Sequence, residues 1–458
     1  MHDERLKDFL KPLVLTDSQL NEVYKRFCNE ISKGLDKNTH SQADTKCFVT
    51  YVQDLPTGDE VGKYLALDLG GTNFRVLLVT LKGHHEAVVE SEIYAVPKEV
   101  MLGTGVQLFD HIAQCLATFV ESHKVGAEYL PLGFTFSFPC VQLGLTKALL
   151  VRWTKGFQCA GVEQEDVGRL LKEAIVRHGG LEIHVMAILN DTTGTLMSCA
   201  HRNPECRVGV IIGTGCNACY VERVEDVDQL EEELKTNKKY VLINTEWGAF
   251  GDSGTLDFVR TEYDKVIDRN SLNVGTQLFE KMISGMYLGE LVQHLLIDAL
   301  KKNLIFVLSQ NKNEYIQKLS SNACFETSMI SDIEADKFPE CRKTRGVIKQ
   351  LFGVEKASVE DCQKLQYICE CVSRRAAYLV AVALSGLINR INERKVVVGV
   401  DGSVYRYHPK FDAYMRETMQ KLVRSNVNFD LMLSEDGSGR GAALVAAVAS
   451  RDNKLFCK

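Results

Sequence analysis

The sequence predicts an α/β protein of two or three domains, and three observations carry that expectation. Its 458 residues exceed the ~100–200 of a typical single domain. Apolar β-prone runs are followed by segments of helical periodicity, the pattern of layered α/β architecture. A hydrophobic fraction of 45% with 25% charged residues is ordinary for a chain that buries real cores. The formal net charge of −6 leaves no basic footprint, so no nucleic-acid partner is expected. The 15 cysteines, odd in number and scattered, read as reduced, mostly buried thiols of a cytoplasmic protein. The N-terminal MHDERLKDFLKPLVLT lacks the apolar stretch of a targeting signal, and no run reaches the ~20 apolar residues of a bilayer span. No membrane insertion is therefore expected.

In chain order, residues 1–50 place Leu20, Val23, Tyr24 and Phe27 at helical spacing, with Gly34 as a stop, which predicts a supporting helix. Tyr64–Leu69 and Phe74–Leu81 are β-prone and flank Gly70-Gly71-Thr72-Asn73, which predicts a hairpin. Paired glycines allow positive φ and close approach to a bulky anion, and successive N–H groups in such a bend form a concave anion site. Thr72 and Asn73 add side-chain donors. Asp68 closes the first strand, where a carboxylate would repel phosphate unless a divalent cation lay between them. The natural third party is Mg²⁺ carried by a nucleotide, with no direct side-chain ligation of metal. An ordinary hairpin built from turn-favouring residues fits the same stretch.

A third strand near Ala87–Tyr94 and a helix over Gln107–Val120, striped by Leu108, Phe109, Ile112, Leu116 and Phe119, follow. Pro131–Pro139 reads as a buried strand stopped by its final proline, which leaves the Ser137 hydroxyl at the carboxyl end, where α/β sheets bind ligands. A serine ending a strand for the sake of a turn reads the same way. In the loop Arg152–Phe157, Lys155 has the charge to neutralise a phosphoryl oxygen and Thr154 the hydroxyl to meet a polar substrate.

Val185–Leu189 is a buried strand leading through Asn190-Asp191 into a helix. Asp191 fits two compatible roles, helix N-cap and general base for a substrate hydroxyl. Gly209–Val221 repeats the opening logic, with Gly213-Thr214-Gly215 as the turn of a second hairpin, as though a nucleotide phosphate were gripped from both sides. Cys216 and Cys219 have C-x-x-C spacing but lack a second pair, and strand alternation keeps the sulfurs off one common face, so no metal site is expected. Val224–Lys239 reads as a solvated excursion.

Glu246 lies in the turn-rich Ile243–Gly251, and Glu280 at the start of an amphipathic helix marked by Leu278, Phe279, Met282, Ile283, Met286 and Leu291. Both fit surface charges; with Asn190 and Asn217 they also make a set of partners for a polyol. Residues 302–365 are polar and featureless except for a nucleotide-facing candidate at Glu326–Ser331. An apolar helix over Ile368–Ile391, a strand over Lys395–Val400 and Asp401-Gly402-Ser403 come next. The chain closes on Ser434–Ala443, a glycine-rich turn opening a small-residue helix. Its spacing is not G-x-G-x-x-G, and no Walker A motif exists, so any nucleotide site here is not a P-loop.

Taken together, the stretches LALDLGGTNFR (65–75), LGFTFSFP (132–139), RWTKGF (152–157), LNDTTGT (189–195), GVIIGTGCNACY (209–220), VGVDGSVYRYHP (398–409) and GSGRGAA (437–443) resemble, in order, the phosphate, hexose, connecting and adenosine motifs of the hexokinase family, within the larger group of actin-like ATPases. The resemblance runs from about residue 10 to about residue 450. It implies a two-domain, ribonuclease H-like fold with a cleft between a small domain (55–192 plus 434–458) and a large one (1–54 plus 193–433).

By the same resemblance Asp191 is the catalytic base and Lys155 lies between the two substrates, while Ser137, Phe138, Pro139, Thr154, Lys155, Asn190, Asn217, Glu246 and Glu280 hold the sugar. Asp68, Gly70, Gly71, Thr72, Asn73, Arg75, Gly213, Thr214, Gly285, Thr327, Ser331, Gly402, Ser403, Gly437 and Ser438 fall where the family meets ATP with Mg²⁺. The implied reaction is ATP-dependent phosphorylation of a hexose, D-glucose foremost, at its 6-hydroxyl, giving hexose 6-phosphate and ADP, the entry step of glycolysis. One copy of the unit, without the apolar start some members use to dock on mitochondria, resembles the short members, and a monomer is expected. Two other readings are a sugar sensor, which the intact Asp191 and Lys155 speak against, and a chaperone- or filament-type ATPase, which would have no use for the sugar residues.

Overall fold

The computed structural model describes residues 4–126, 128–321 and 324–451; positions 452–458, expected in the small domain, lie outside the described residues. The described strands in chain order are β1 (Phe48–Val49), β2 (Val61–Leu69), β3 (Asn73–Gly83), β4 (Glu86–Ala95), β5 (Leu130–Phe136), β6 (Cys140–Gly144) and β7 (Lys147–Leu150). They continue with β8 (Ile183–Leu189), β9 (Cys206–Ile212), β10 (Cys216–Arg223), β11 (Tyr240–Asn244), β12 (Lys395–Asp401) and β13 (Asn428–Leu433).

Apart from β6 and β7, which pair with each other, and the edge strand β1, these strands build the same sheet twice. One has the order β4-β3-β2-β5-β8, and the other β11-β10-β9-β12-β13 with β1 added at its edge. In each, an antiparallel meander is joined through its first strand to two parallel strands: β2 pairs in parallel with β5, and β5 with β8, as β9 does with β12 and β12 with β13. Parallel strands must be covered on both faces, and here the inner faces are covered by helices Asp191–Arg202 and Gly437–Arg451. The second of these lies on β2, β5 and β8, the first on β9, β10 and β12, and the two pack against each other. Their junction is a small-residue core of Leu196, Cys199, Ala200, Ala443, Leu444 and Ala447 between the two sheets. Each sheet also has its own outer core, one around Phe109, Phe119 and Phe134, the other around Trp247, Phe279 and the long helix Val359–Ile391.

Several expectations need correction. Cys216 and Cys219 do sit on opposite faces of β10, but Val224–Lys239 is a solvated excursion only in its second half, 231–239, because Val224, Val227 and Leu230 are buried in the core. The single amphipathic helix expected over Leu278–Leu291 is two, Leu278–Ile283 and Gly285–Lys301, broken at extended Ser284. Residues 302–365 contain helices Lys312–Ser321, Thr327–Glu334 and Arg342–Phe352 and the first turns of the long helix. Contrary to the expectation of no span-like run, that 33-residue helix is long and apolar enough to cross a membrane; 89% of its most apolar window is buried inside this chain.

Candidate active site

The β2–β3 hairpin pairs Asp68 with Arg75 and Leu69 with Phe74, so Gly70, Gly71 and Thr72 form the bend as expected, with Asn73 opening β3. Neither Gly70 nor Gly71 has positive φ, which corrects the expected reason for glycine. A Cβ on Gly71 would meet nothing within 4 Å, so the packing of the protein itself does not require glycine there. In the β9–β10 hairpin, Gly213 N–H donates to Gly215 O (3.0 Å), and the start of helix Gly285–Lys301 docks on the bend through Gly285 N–H to Gly213 O (2.7 Å) and Met286 N–H to Thr214 O (3.2 Å). A Cβ on Gly285 would lie 2.8 Å from Gly213 O, so glycine is required for that approach.

The loop carrying Thr154 and Lys155 is wedged into place by aromatic rings. Phe138 meets Trp153 edge-on (5.0 Å between centroids) and Phe157 (5.2 Å), while Trp153 stacks on Phe157 (5.3 Å). Phe138 is therefore a buried support, and Pro139 is an exposed residue between β5 and β6. The Lys155 ammonium donates to Ser137 O (2.8 Å) and stands 5.4 Å from the Phe138 ring centre. Burial pulls its pKa below the usual lysine value, against the opposing charges of Asp191, Asp68 and Glu280.

Asn190, not Asp191, caps helix Asp191–Arg202: its Oδ1 accepts from Thr192 N–H (3.0 Å) and Thr192 Oγ1 (2.7 Å). The capping role foreseen for Asp191 is thus corrected, and Asp191, a half-buried residue, stands first in the helix. A helix N-terminus favours the carboxylate, yet burial, with the charges of Asp68 and Glu246, outweighs that and the nearby Lys155, raising the Asp191 pKa to about 6.

Glu246 occupies the left-handed region (φ 52°) just past β11, a strained position for a non-glycine residue. Its Oε1 accepts from Asn244 Nδ2 (2.7 Å) and Asn217 Nδ2 (3.1 Å), and Asn217 also donates to Asn244 Oδ1 (2.8 Å). Glu280 Oε2 accepts from Cys216 N–H (2.9 Å), which ties the second hairpin to the helix bearing Glu280. Burial raises the pKa of both glutamates; the two asparagine bonds oppose it at Glu246, and the Cys216 bond opposes it at Glu280.

On the nucleotide side, Asp68 Oδ2 accepts from Ser438 Oγ (2.8 Å) and Arg75 Nη2 (2.9 Å), and Arg75 Nη1 also pairs with Asp436 (2.7 Å). Both bonds fall on one oxygen, so Asp68 keeps Oδ1 for a ligand, the donor type that suits hydrated Mg²⁺. Asp401 braces the far loops through Gly402 N–H (2.7 Å) and Gly437 N–H (3.3 Å), with Ser403 opening the next short helix. The Thr327 hydroxyl donates to Gly285 O (2.6 Å) and accepts from Gly289 N–H (2.9 Å), so it also braces the protein. Ser331 lies one turn farther along that helix.

Two hexokinase family models match the chain, one over residues 5–201 and the other over residues 207–448. The chain belongs to the hexokinase family. Hexokinase-2 of Homo sapiens is 46% identical over 461 residues, an alignment covering 98% of this chain and 49% of that protein. The chain thus spans about half the length of the curated relatives it matches. The solved hexokinase from Schistosoma mansoni, complexed with glucose, is 42% identical with a TM-score of 0.85, covering 97% of this chain and 98% of its own. A further hexokinase crystal structure is 30% identical with a TM-score of 0.84, covering 97% and 98%. The repeated sheet is accordingly the two-domain actin-like ATPase fold of the sugar kinases.

In this hexokinase-family chain the fold brings Lys155, Asp191, Asp68, Glu246 and Glu280 within electrostatic reach of one another, although they come from both halves. Sequence reasoning missed Asn244 and Asp401 as parts of the site. The signal was present in the polar side chains at the carboxyl ends of β11 and β12, since ligands bind outside the carboxyl ends of sheet strands.

Proposed function

We propose that this chain transfers the γ-phosphoryl group of ATP to the 6-hydroxyl of a hexose, D-glucose foremost, yielding hexose 6-phosphate and ADP. The observation that carries this reading is Asp191, a carboxyl with its pKa near 6 that lies within reach of the Lys155 ammonium and the Glu246 carboxylate. Such a group is ionised at neutral pH yet basic enough to take a proton from an alcohol as its oxygen attacks phosphorus. Asn217, Glu246 and Glu280 offer the sugar hydroxyls fixed partners, with one carboxylate oxygen of each glutamate already pinned by the protein.

Phosphoryl transfer needs positioning and charge neutralisation more than covalent help. Lys155, partly desolvated and anchored on Ser137 O, supplies a cation whose field is weakly screened. The bends at Gly71 and Thr214 supply backbone N–H groups for the phosphates. Mg²⁺ arriving with the nucleotide, next to the open Asp68 oxygen, would neutralise phosphate charge. The glucose bound to the Schistosoma mansoni relative supports glucose as first substrate, and the free thiols of the described cysteines suit a cytoplasmic setting. We expect a monomer that does not insert into membranes.

ADP release, measured with and without glucose, tests the proposal. Sugar-dependent release is expected; release independent of sugar would mean an ATPase, and sugar binding without release a sensor. Asp191→Ala should keep glucose affinity, measured by calorimetry, while kcat falls by about 10²–10⁴.

A further inference from the structure

At the far end of β3 from the glycine bend lies an open cavity of about 340 Å³, lined by Lys82, His85, Glu86 and Val88 of the β3–β4 turn together with Arg202 and Arg440. Its volume falls within the ~300–1,000 Å³ of small-molecule sites. β3 has 11 residues, so at ~3.3 Å per residue the cavity is roughly 30 Å from the first hairpin bend.

The lining is rich in cations and poor in partners for them. Lys82, Arg202 and Arg440 face one carboxylate, Glu86. Arg202 has a loose pair, 3.6 Å, with Glu435, which is itself 73% exposed. Arg440 donates through Nη2 to an uncharged acceptor, His201 Nδ1 (2.9 Å), and its Nε is buried without a hydrogen-bond partner. Burial, and then the neighbouring Arg202 charge, pull the Arg440 pKa down against the opposing charges of Cys199, Glu435 and Asp436. Burial, Arg440 and His85 likewise push His201 down to about 4, which keeps that imidazole neutral. Guanidinium forks matched by no carboxylate fork are well suited to the oxygens of a dianion.

We propose that this cavity binds a phosphoryl group, from inorganic phosphate or a phosphomonoester, as a site separate from the nucleotide bends and coupled to them. Two elements give the coupling. Arg202 ends the 12-residue helix that Asp191 begins, about 17 Å away at ~1.5 Å per residue. Arg440 belongs to the first turn of the helix whose Ser438 donates to Asp68. A dianion drawing the two guanidinium groups together acts on both helices at once.

The test uses the full chain with saturating glucose and Mg²⁺ plus a non-hydrolysable ATP analogue, so that the glycine bends are already filled. Inorganic phosphate and, separately, glycerol 3-phosphate are titrated by calorimetry into wild type and the double variant Lys82→Gln, Arg202→Gln. We expect one equivalent bound by wild type and at least a tenfold weaker affinity in the variant. Equal affinities, or no uptake by wild type, overturn the site. If the double variant melts early, the single variant of exposed Lys82 is used with the same criterion. Tighter binding of either compound identifies the source of the phosphoryl group.

The coupling rests on the proposed kinase reaction and is read apart from binding. Phosphate should shift the glucose KM of wild type and not that of the variant, whose turnover without phosphate should match wild type. Equal shifts, or none, with binding intact overturn the coupling. Absence of any phosphorylation would instead count against the proposed function.

Discussion

Gly194 and Gly441 meet where helices Asp191–Arg202 and Gly437–Arg451 cross, so closely that a Cβ on Gly441 would lie 2.0 Å from Gly194 O. Neither has positive φ, so glycine is needed here for space. Gly441→Ala would force apart the two helices that separate the sheets. Overpacking of this kind typically costs about 1–3 kcal/mol. The upper end is expected here because the clash is with backbone. A denaturant midpoint equal to wild type would show that the crossing is slack.

Asp191 predicts the acid limb of the pH profile. Below about pH 6 the base is protonated, and kcat/KM for the sugar should fall about tenfold per pH unit. The apparent value belongs to the coupled set of Asp191, Lys155, Asp68 and Glu246. Because the folded-state pKa is raised from 3.8 to about 6, the folded chain binds this proton more tightly than the unfolded chain. The resulting stability is present at low pH and lost as pH rises through about 6. Asp191→Asn should accordingly unfold at a higher denaturant concentration than wild type at pH 7 while losing turnover, and a lower midpoint would contradict the assigned cause.

Lys155 holds the Asp191 pKa down, so removing its charge should raise it. Lys155→Met is expected to move the acid limb to higher pH as well as to lower kcat. A limb that stays in place, measured at constant ionic strength, would mean that the two groups do not feel each other.

Asn244 gives Glu246 its shorter hydrogen bond, 2.7 Å, and accepts from Asn217 at 2.8 Å. A hydrogen bond to a charged group is worth about 1.5–3 kcal/mol, so Asn244→Ala should raise the hexose KM by roughly 10- to 100-fold. Little change in kcat is expected. Steady-state kinetics with glucose decide it, and an unchanged KM would show that Asn217 alone positions the glutamate.

The reasons for particular residues were less legible than their identities. Gly70 and Gly71 were readable as a bend because two β-prone runs flank them, but positive φ was the wrong reason, and a Cβ on Gly71 would meet nothing within 4 Å. That the Thr327 hydroxyl bonds Gly285 and Gly289 was not legible, because these contacts are 42 and 38 positions distant in the chain. The buried Val227 and Leu230 were invisible among charges because only contact with the rest of the core makes them interior.

What the amino-acid order determined by itself is local: hairpins at Gly70–Asn73 and Gly213–Gly215 and the chemical kind of each side chain at the strand ends. Those follow from torsional freedom and short-range hydrogen bonding, which neighbouring residues settle. The strand expected to stop at Pro139 ends earlier, at Phe136. Tertiary structure decided that Asp191 stands among the charges of Lys155, Asp68 and Glu246, that Asn244 reaches Asn217, and that Ser438 joins Arg75 on one oxygen of Asp68. Proton affinity and hydrogen-bond partnership depend on burial and on charges delivered from distant segments, and only the packed chain fixes those distances.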